Sequence, residues 1–155
     1  MDKGRDDSNL PQPGEGKRGE RGYLGYLLRQ AANAYRNRVE QVLRDLALTL
    51  PQFSALTMLG AYPGHSNADL ARLAFLTPQT MNVITTNLKK AGLIRRKPHK
   101  DHGRIQQLEL TQAGKSALSR AKQRVTGFEQ VLLAGMSAEE AHIVRHWLVS
   151  VATRA

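Results

Sequence analysis

Two short apolar segments in the middle of the chain each begin with a helix-start signal, and a short turn separates them. The first opens with Ser66-Asn67-Ala68-Asp69, where a carboxylate follows a serine at capping-box spacing. The second opens with Thr77-Pro78, because threonine can accept backbone N–H bonds and proline suits the first helical turn. Two short helices joined in this way form a helix-turn-helix, so this pair constrains the fold more than any other feature.

The second of these helices combines an apolar stripe with an uncharged polar face. Met81, Ile84 and Leu88 recur at helical spacing and are expected in the core. The remaining side chains can hydrogen-bond base edges or contact a thymine methyl group, although an ordinary amphipathic helix that lacks charge is the alternative. The residues predicted to contact DNA here are Thr77, Gln79, Thr80, Asn82, Val83, Thr86 and Lys90, together with Ser66 and Asn67 at the start of the preceding helix.

The helical period ends near Gly92, and a basic hairpin follows it. Residues 93–97 and 106–110 are partly alternating and predict two strands around a charged tip, in which Asp101 is the only acid. Such a hairpin can reach phosphates or a minor groove, and a solubilising charged loop is the alternative. The predicted wing contacts are Arg95, Arg96, Lys97, His99, Lys100, His102 and Arg104.

Longer helices are predicted on both sides of this winged helix. The apolar period that begins at Tyr23 predicts a long first helix, Thr111 caps a fifth, and Ser137 with Glu140 forms a capping box for a sixth. Residues 1–22 are rich in Pro, Gly and mixed charges and predict a disordered arm. We therefore expect a single domain over 23–155, mainly α with a small two-stranded β-wing, comprising a winged helix at about 51–110 and dimerisation helices at about 23–47 and 112–153.

Composition narrows the classes of partner and of chemistry. The 155 residues carry a net charge of +10, which favours a polyanionic partner such as nucleic acid. The chain has no cysteine, which excludes disulfides and thiol redox sensing, and no apolar segment that predicts a signal peptide or membrane span, so a cytoplasmic protein is expected. No catalytic or nucleotide-binding motif occurs, so no enzyme activity or cofactor is predicted. His142 and His146 have no convincing third ligand nearby, so no metal site is predicted.

Five stretches of the chain carry a family resemblance: residues 48–53, 67–72, 77–82, 92–94 and 110–114. Together they resemble the MarR family of winged-helix regulators, from Tyr23 to the C-terminus. This resemblance implies a homodimer formed by the first, fifth and sixth helices, a recognition helix in the major groove of a near-palindromic DNA site, and a wing at the minor groove. It also implies a repressor released by a small, often aromatic or phenolic, ligand, with Tyr26, Gln30, Tyr35 and His65 as candidate contacts.

One wing position departs from the family pattern. Arg104 matches the family's wing arginine, but His102 stands where the family usually has an aspartate, and Asp101 lies one residue earlier. A histidine, neutral or protonated, cannot anchor Arg104 by charge. Because histidine titrates near pH 6.5, we expect wing geometry and DNA affinity to depend on pH in that range. Two other functions stay open from the sequence: a non-specific architectural DNA-binding protein, and a protein-interaction module without DNA binding.

Overall fold

A computed structural model describes residues 10–98 and 106–154. The chain divides into two compact units, Met1–Arg38 and Val39–Ala155. The predicted boundary between an arm and a single domain, at residues 22 and 23, differs from this division and stays a prediction. The elements, in chain order, are α1 Leu24–Leu43, α2 Leu50–Ala61, α3 Asn67–Leu73, α4 Pro78–Lys90, β1 Ile94–Pro98, β2 Gln106–Leu110, α5 Gln112–Leu132 and α6 Ala138–Arg154.

The first unit contains most of α1 and a short 3-10 helix at Gly16–Arg18. The backbone N–H of Gly14 donates to the carbonyl of Arg18 at 3.1 Å, and Nε2 of Gln30 donates to the same carbonyl at 3.2 Å. Part of the segment predicted to be a disordered arm therefore has local hydrogen-bonded structure, which the Pro- and Gly-rich composition did not indicate.

In the second unit, α2 begins at Leu50, one residue before the predicted start of the winged helix at about 51. Thr49 is its N-cap: the Thr49 hydroxyl accepts from the N–H of Gln52, and Oε1 of Gln52 accepts from the N–H of Thr49 at 3.0 Å. This reciprocal pair satisfies the backbone N–H groups of Thr49 and Gln52, which lie at the start of the helix and have no partner within it. Thr49 was not predicted as a cap. The caps predicted at Ser66, Thr77 and Thr111 are confirmed, since each accepts from the N–H three residues later.

The core of the second unit consists of aliphatic side chains from α2, α3, α4, α5 and the wing. Met81, Ile84 and Leu88 are buried, which confirms the predicted stripe of α4. Ile94 from β1 and Leu108 from β2 are also buried, so the base of the hairpin belongs to the core. The chain thus has the predicted fold class, mainly α with a two-stranded antiparallel wing.

Leu93 joins the end of α4 to the wing and to α5. The N–H of Thr111 donates to the carbonyl of Leu93 at 3.0 Å, and the Thr111 hydroxyl donates to the carbonyl of Gly92 at 2.6 Å. Gly114 lies so close to Leu93 that a Cβ would be 1.9 Å from the Leu93 carbonyl oxygen. Only glycine fits this approach, which fixes the orientation of the wing base relative to α5.

The helix α6 begins at the predicted capping box, in which Glu140 accepts from the N–H of Ser137 at 2.7 Å. None of its described residues is buried. Large apolar side chains are exposed instead. Val149 lies on one side of the helix, and four others form a stripe on another side: Ile143, Val144, Leu148 and Val151. Among the described residues, no helix is both long and apolar enough to cross a membrane.

Candidate nucleic-acid interface

The exposed face of α4 contains the predicted base-reading residues. Gln79, Thr80, Asn82 and Lys90 are exposed, Val83 is 62% exposed, and Thr86 is half-buried. The Thr77 hydroxyl accepts from the N–H of Thr80 at 3.1 Å, and the two hydroxyl oxygens lie 2.9 Å apart. The structure therefore places amides, hydroxyls and one aliphatic side chain on a single face of the helix, and these groups match the edges of bases in a major groove.

A second set of polar contacts fixes α4 against α3. Asn67 accepts from the hydroxyl of Thr85 at 2.8 Å, and its Nδ2 donates to the carbonyl of Pro78 at 3.5 Å. Thr85 is 4% exposed, and the sequence prediction did not include it. Its position four residues after Met81 and one after Ile84 extends the buried stripe, and that spacing could have identified it. Asn67, predicted to contact DNA, has both of its polar atoms engaged within the protein.

Ser66 and Asp69 close the start of α3. The hydroxyl of Ser66 donates to Oδ2 of Asp69 at 2.6 Å, and the N–H of Ser66 donates to the same atom at 3.1 Å. These two bonds, with the Arg72 guanidinium 3.1 Å from Oδ1, hold the pKa of Asp69 below its usual value. Nδ1 of His65 lies 4.0 Å from Oδ2 and lowers the pKa of Asp69 by a smaller amount. Ser66, predicted to contact DNA, therefore also has a capping role.

The wing contains an acid that the sequence prediction overlooked. Arg95 lies opposite Glu109 in the antiparallel register, and Nε of Arg95 donates to Oε1 of Glu109 at 2.6 Å. Nζ of Lys97 lies 3.9 Å from Oε2 of Glu109. The hydrogen bond from Arg95 is the main cause that lowers the pKa of Glu109, with smaller contributions from Lys97 and Lys115.

Glu109 lies on β2, outside the tip in which Asp101 is the only acid. Glu109 is distant from Arg95 in sequence, and only the strand pairing brings the two together. Arg96 is exposed beside this pair and has Leu108 as its strand partner. The other predicted wing residues, His99, Lys100, His102 and Arg104, lie outside the described residues, as does Asp101.

The predicted ligand contacts lie in both units. Tyr26 donates from its hydroxyl to Oε1 of Gln30 at 3.2 Å, and Tyr35 is half-buried further along α1. His65 lies in the second unit, where its carbonyl accepts from the N–H of Leu108 at 3.0 Å. These contacts are structural, and the ligand role of the four residues stays a prediction.

A cleft of about 570 Å³ lies within the second unit, between the end of α2, β2 and the first half of α5. Its apolar lining includes Leu59, Leu110 and Leu118, and its charged lining consists of two cations, Lys115 and Lys122, and one carboxylate, Glu109. Clefts of this size hold small ligands. Because Glu109 is paired with Arg95 and Lys97, the two ammonium groups and the aliphatic walls suit an anion with an apolar body. None of the four predicted ligand contacts is among its lining residues.

His142 and His146 are neighbours on α6, with ring centroids 6.5 Å apart. Within the described part of the chain, no third His, Cys, Asp or Glu completes a set of metal ligands with them.

The chain is similar in sequence to one protein family and to proteins named as HTH-type transcriptional repressors. The sequence profile of the MarR family matches residues 48–105. The HTH-type transcriptional repressor Rv2887 of Mycobacterium tuberculosis is 38% identical over 117 residues, which are 76% of this chain and 84% of the relative. The HTH-type transcriptional repressor IacR of Pseudomonas putida is 23% identical over 120 residues, 77% of this chain and 71% of the relative.

Solved structures give the same result. The crystal structure of M. tuberculosis Rv2887 with p-aminosalicylic acid is 34% identical, has a TM-score of 0.69, and covers 84% of this chain and 99% of that chain. Rv2887 in complex with DNA is 33% identical, with a TM-score of 0.68 and coverage of 84% and 98%. The transcriptional repressor CouR bound to a 23-mer DNA duplex is 26% identical, with a TM-score of 0.80 and coverage of 88% and 96%. The helix-turn-helix, the wing and these similarities together show that the chain belongs to the MarR family.

Proposed function

We propose that this protein is a homodimeric transcriptional repressor that binds a specific, near-palindromic site in double-stranded DNA in the cytoplasm and has no catalytic activity. The observation that supports this function best is the exposed face of α4, where Gln79 and Asn82 offer amides for adenine and Val83 offers an aliphatic contact for a thymine methyl group. The relatives named as transcriptional repressors, and those solved with DNA, support the same function.

The dimer is supported by α6. Its stripe of Ile143, Val144, Leu148 and Val151 is exposed in the single chain, and apolar side chains at that density are usually covered by a partner. A second copy of the chain with the same stripe would cover it around a two-fold axis. Such a dimer places two copies of α4 about one DNA turn apart, roughly 34 Å, and so requires two half-sites.

The proposed signal that releases DNA is a small aromatic carboxylic acid. Rv2887 was solved with salicylic acid and with p-aminosalicylic acid. In this chain the cleft beside α5 offers Lys115 and Lys122 to a carboxylate, and Leu59 and Leu118 to an aromatic ring. Because β2 forms one side of this cleft, a bound ligand would contact the strand that pairs with Arg95 of the wing.

Selection of bound duplexes from random-sequence DNA tests the main function. We expect the wild type to recover one near-palindromic operator, and Gln79→Ala or Asn82→Ala to change the preferred bases at a position in each half-site, at about 1 to 3 kcal/mol per lost base contact. Arg96→Ala is the matched control, because a wing cation that contacts phosphate should weaken binding without changing the preferred bases. Recovery of unrelated sequences with a steep salt dependence would indicate an architectural protein, and no recovery would indicate an interaction module.

Titration of salicylic acid into the preformed protein–DNA complex tests the release step. We expect salicylic acid to release the DNA, and salicylamide, which lacks the carboxylate, to release much less. Lys115→Ala should raise the concentration of salicylic acid needed for release. Equal release by the acid and the amide would contradict the assignment of Lys115 and Lys122 as carboxylate ligands.

A further inference from the structure

Phe75 ends α3 in a conformation that normally belongs to glycine. The N–H of Leu76 donates to the carbonyl of Ala71 at 2.9 Å, and the N–H of Phe75 donates to the carbonyl of Arg72 at 3.3 Å. These two bonds form a Schellman motif, in which the residue after the C-cap adopts a left-handed conformation. Phe75 occupies that position with φ of +53°.

This conformation makes Phe75 an unfavourable choice for stability. A side chain with a Cβ is strained at positive φ, and glycine is the usual residue at this point of a helix end. Among the described residues, only Ala47 is another non-glycine residue with positive φ, at +52°. Ala47 differs from Phe75 in one respect that matters, since its side chain is a single methyl group.

The ring of Phe75 does not contribute to the core. It is 88% exposed, the largest exposed fraction among the large hydrophobic residues of the described chain. Neither the backbone nor the core therefore explains an aromatic ring at this position. A ring that is held in water at the expense of backbone strain suggests a binding role.

The position of Phe75 indicates which partner the ring contacts. Phe75 lies two residues before Thr77, the N-cap of α4, and in a helix-turn-helix this end of the recognition helix enters the major groove. No acidic residue occurs between Leu70 and Lys90, so nothing on this segment repels a phosphate backbone. Arg72, one turn before Phe75, is exposed and pairs with Asp69 through one guanidinium nitrogen at 3.1 Å, so its other donors can still reach a phosphate beside the ring.

We propose that the ring of Phe75 packs against the apolar face of a deoxyribose at the edge of the major groove when the protein binds DNA. This proposal rests on the proposed DNA-binding function and adds a residue to it. Because sugars are the same at every base pair, the contact would strengthen binding to all sequences. It would also fix how deeply the start of α4 enters the groove.

Phe75→Gly tests the proposal, because it should raise stability by relieving the strain and lower DNA affinity by removing the contact. Without the strain, we expect the melting temperature to rise by a few degrees. Without the ring, we expect the dissociation constant to increase about five- to tenfold, which is what partial burial of one aromatic side chain is worth. The increase should be equal for the operator and for a shuffled duplex. Phe75→Tyr should keep the affinity of the wild type.

Ala47→Gly is the matched control. It relieves the same kind of backbone strain, so we expect a higher melting temperature with unchanged affinity for both duplexes. A Phe75→Gly protein that binds DNA like the wild type would overturn the proposal, as would a loss of affinity confined to the operator. If the wild type itself does not prefer the operator over shuffled DNA, the proposed function fails instead, and this result is recognised without any variant.

Discussion

The hydroxyl of Thr85 donates to Oδ1 of Asn67 at 2.8 Å, which joins the buried side of α4 to the first residue of α3. The same hydroxyl lies 3.0 Å from the carbonyl oxygen of Met81 within α4. Asn67 in turn reaches the carbonyl of Pro78 at the start of α4. These bonds fix the angle between the two helices, and this angle decides which side chains of α4 face a DNA groove.

Thr85→Val should lower the free energy of unfolding by about 1 kcal/mol, because it leaves Oδ1 of Asn67 without its donor at nearly constant side-chain volume. Urea denaturation of Thr85→Val, Asn67→Ala and the double variant measures the coupling. We expect the cost of Thr85→Val to be smaller in the Asn67→Ala background. Strictly additive costs would show that the bond has no role in the α3–α4 packing.

Local spacing was sufficient to predict most of the fold, and contacts distant in sequence were not predictable. The caps at Ser66, Thr77 and Thr111 depend on residues three apart, so the sequence alone identified them. Asn67 was assigned to DNA because its partner Thr85 is far along the chain. Glu109 was overlooked for the same reason, since its pairing with Arg95 depends on the register of the hairpin.

Glu109→Gln should strengthen binding to random DNA. The carboxylate is held by Arg95 and Lys97, and its removal leaves both cations available to phosphates. We expect the slope of log affinity against log salt concentration to become steeper by up to about one, as for one more phosphate contact. Fluorescence anisotropy titrations over a range of salt concentrations measure this slope. Glu139→Gln on α6 is the control with the same change in charge, and equal slopes in the two variants would contradict the prediction.

The stability contributed by Asp69 should be lost in acid. Its pKa is lowered in the folded protein, first by the hydroxyl of Ser66. A carboxyl with a lowered pKa contributes stability that is fully present above its unfolded value, 3.8, and lost as the pH falls through the lower folded value. The difference in unfolding free energy between wild type and Asp69→Asn should therefore be constant above about pH 5 and shrink below pH 3.8. A difference that grows in acid would show that the sign is wrong.

Leu148→Glu should convert the dimer into a monomer. Leu148 is 45% exposed within the apolar stripe of α6, and a carboxylate there would be buried between two copies of the chain. Sedimentation equilibrium measures the change, and operator affinity should fall at least about tenfold because one half-site is lost. His142→Glu is the control, since 100° per residue places it on the other side of α6. A wild type that is monomeric at micromolar concentration would contradict the dimer itself.

The most direct test of the central claim is the ratio of two dissociation constants for the wild type, measured at one salt concentration. One duplex is the operator recovered by selection, and the other has the same base composition in shuffled order. A sequence-specific regulator that reads bases with Gln79 and Asn82 should bind the operator about 10³-fold more tightly or better. Two dissociation constants within about tenfold of each other would contradict the claim that the exposed face of α4 reads sequence.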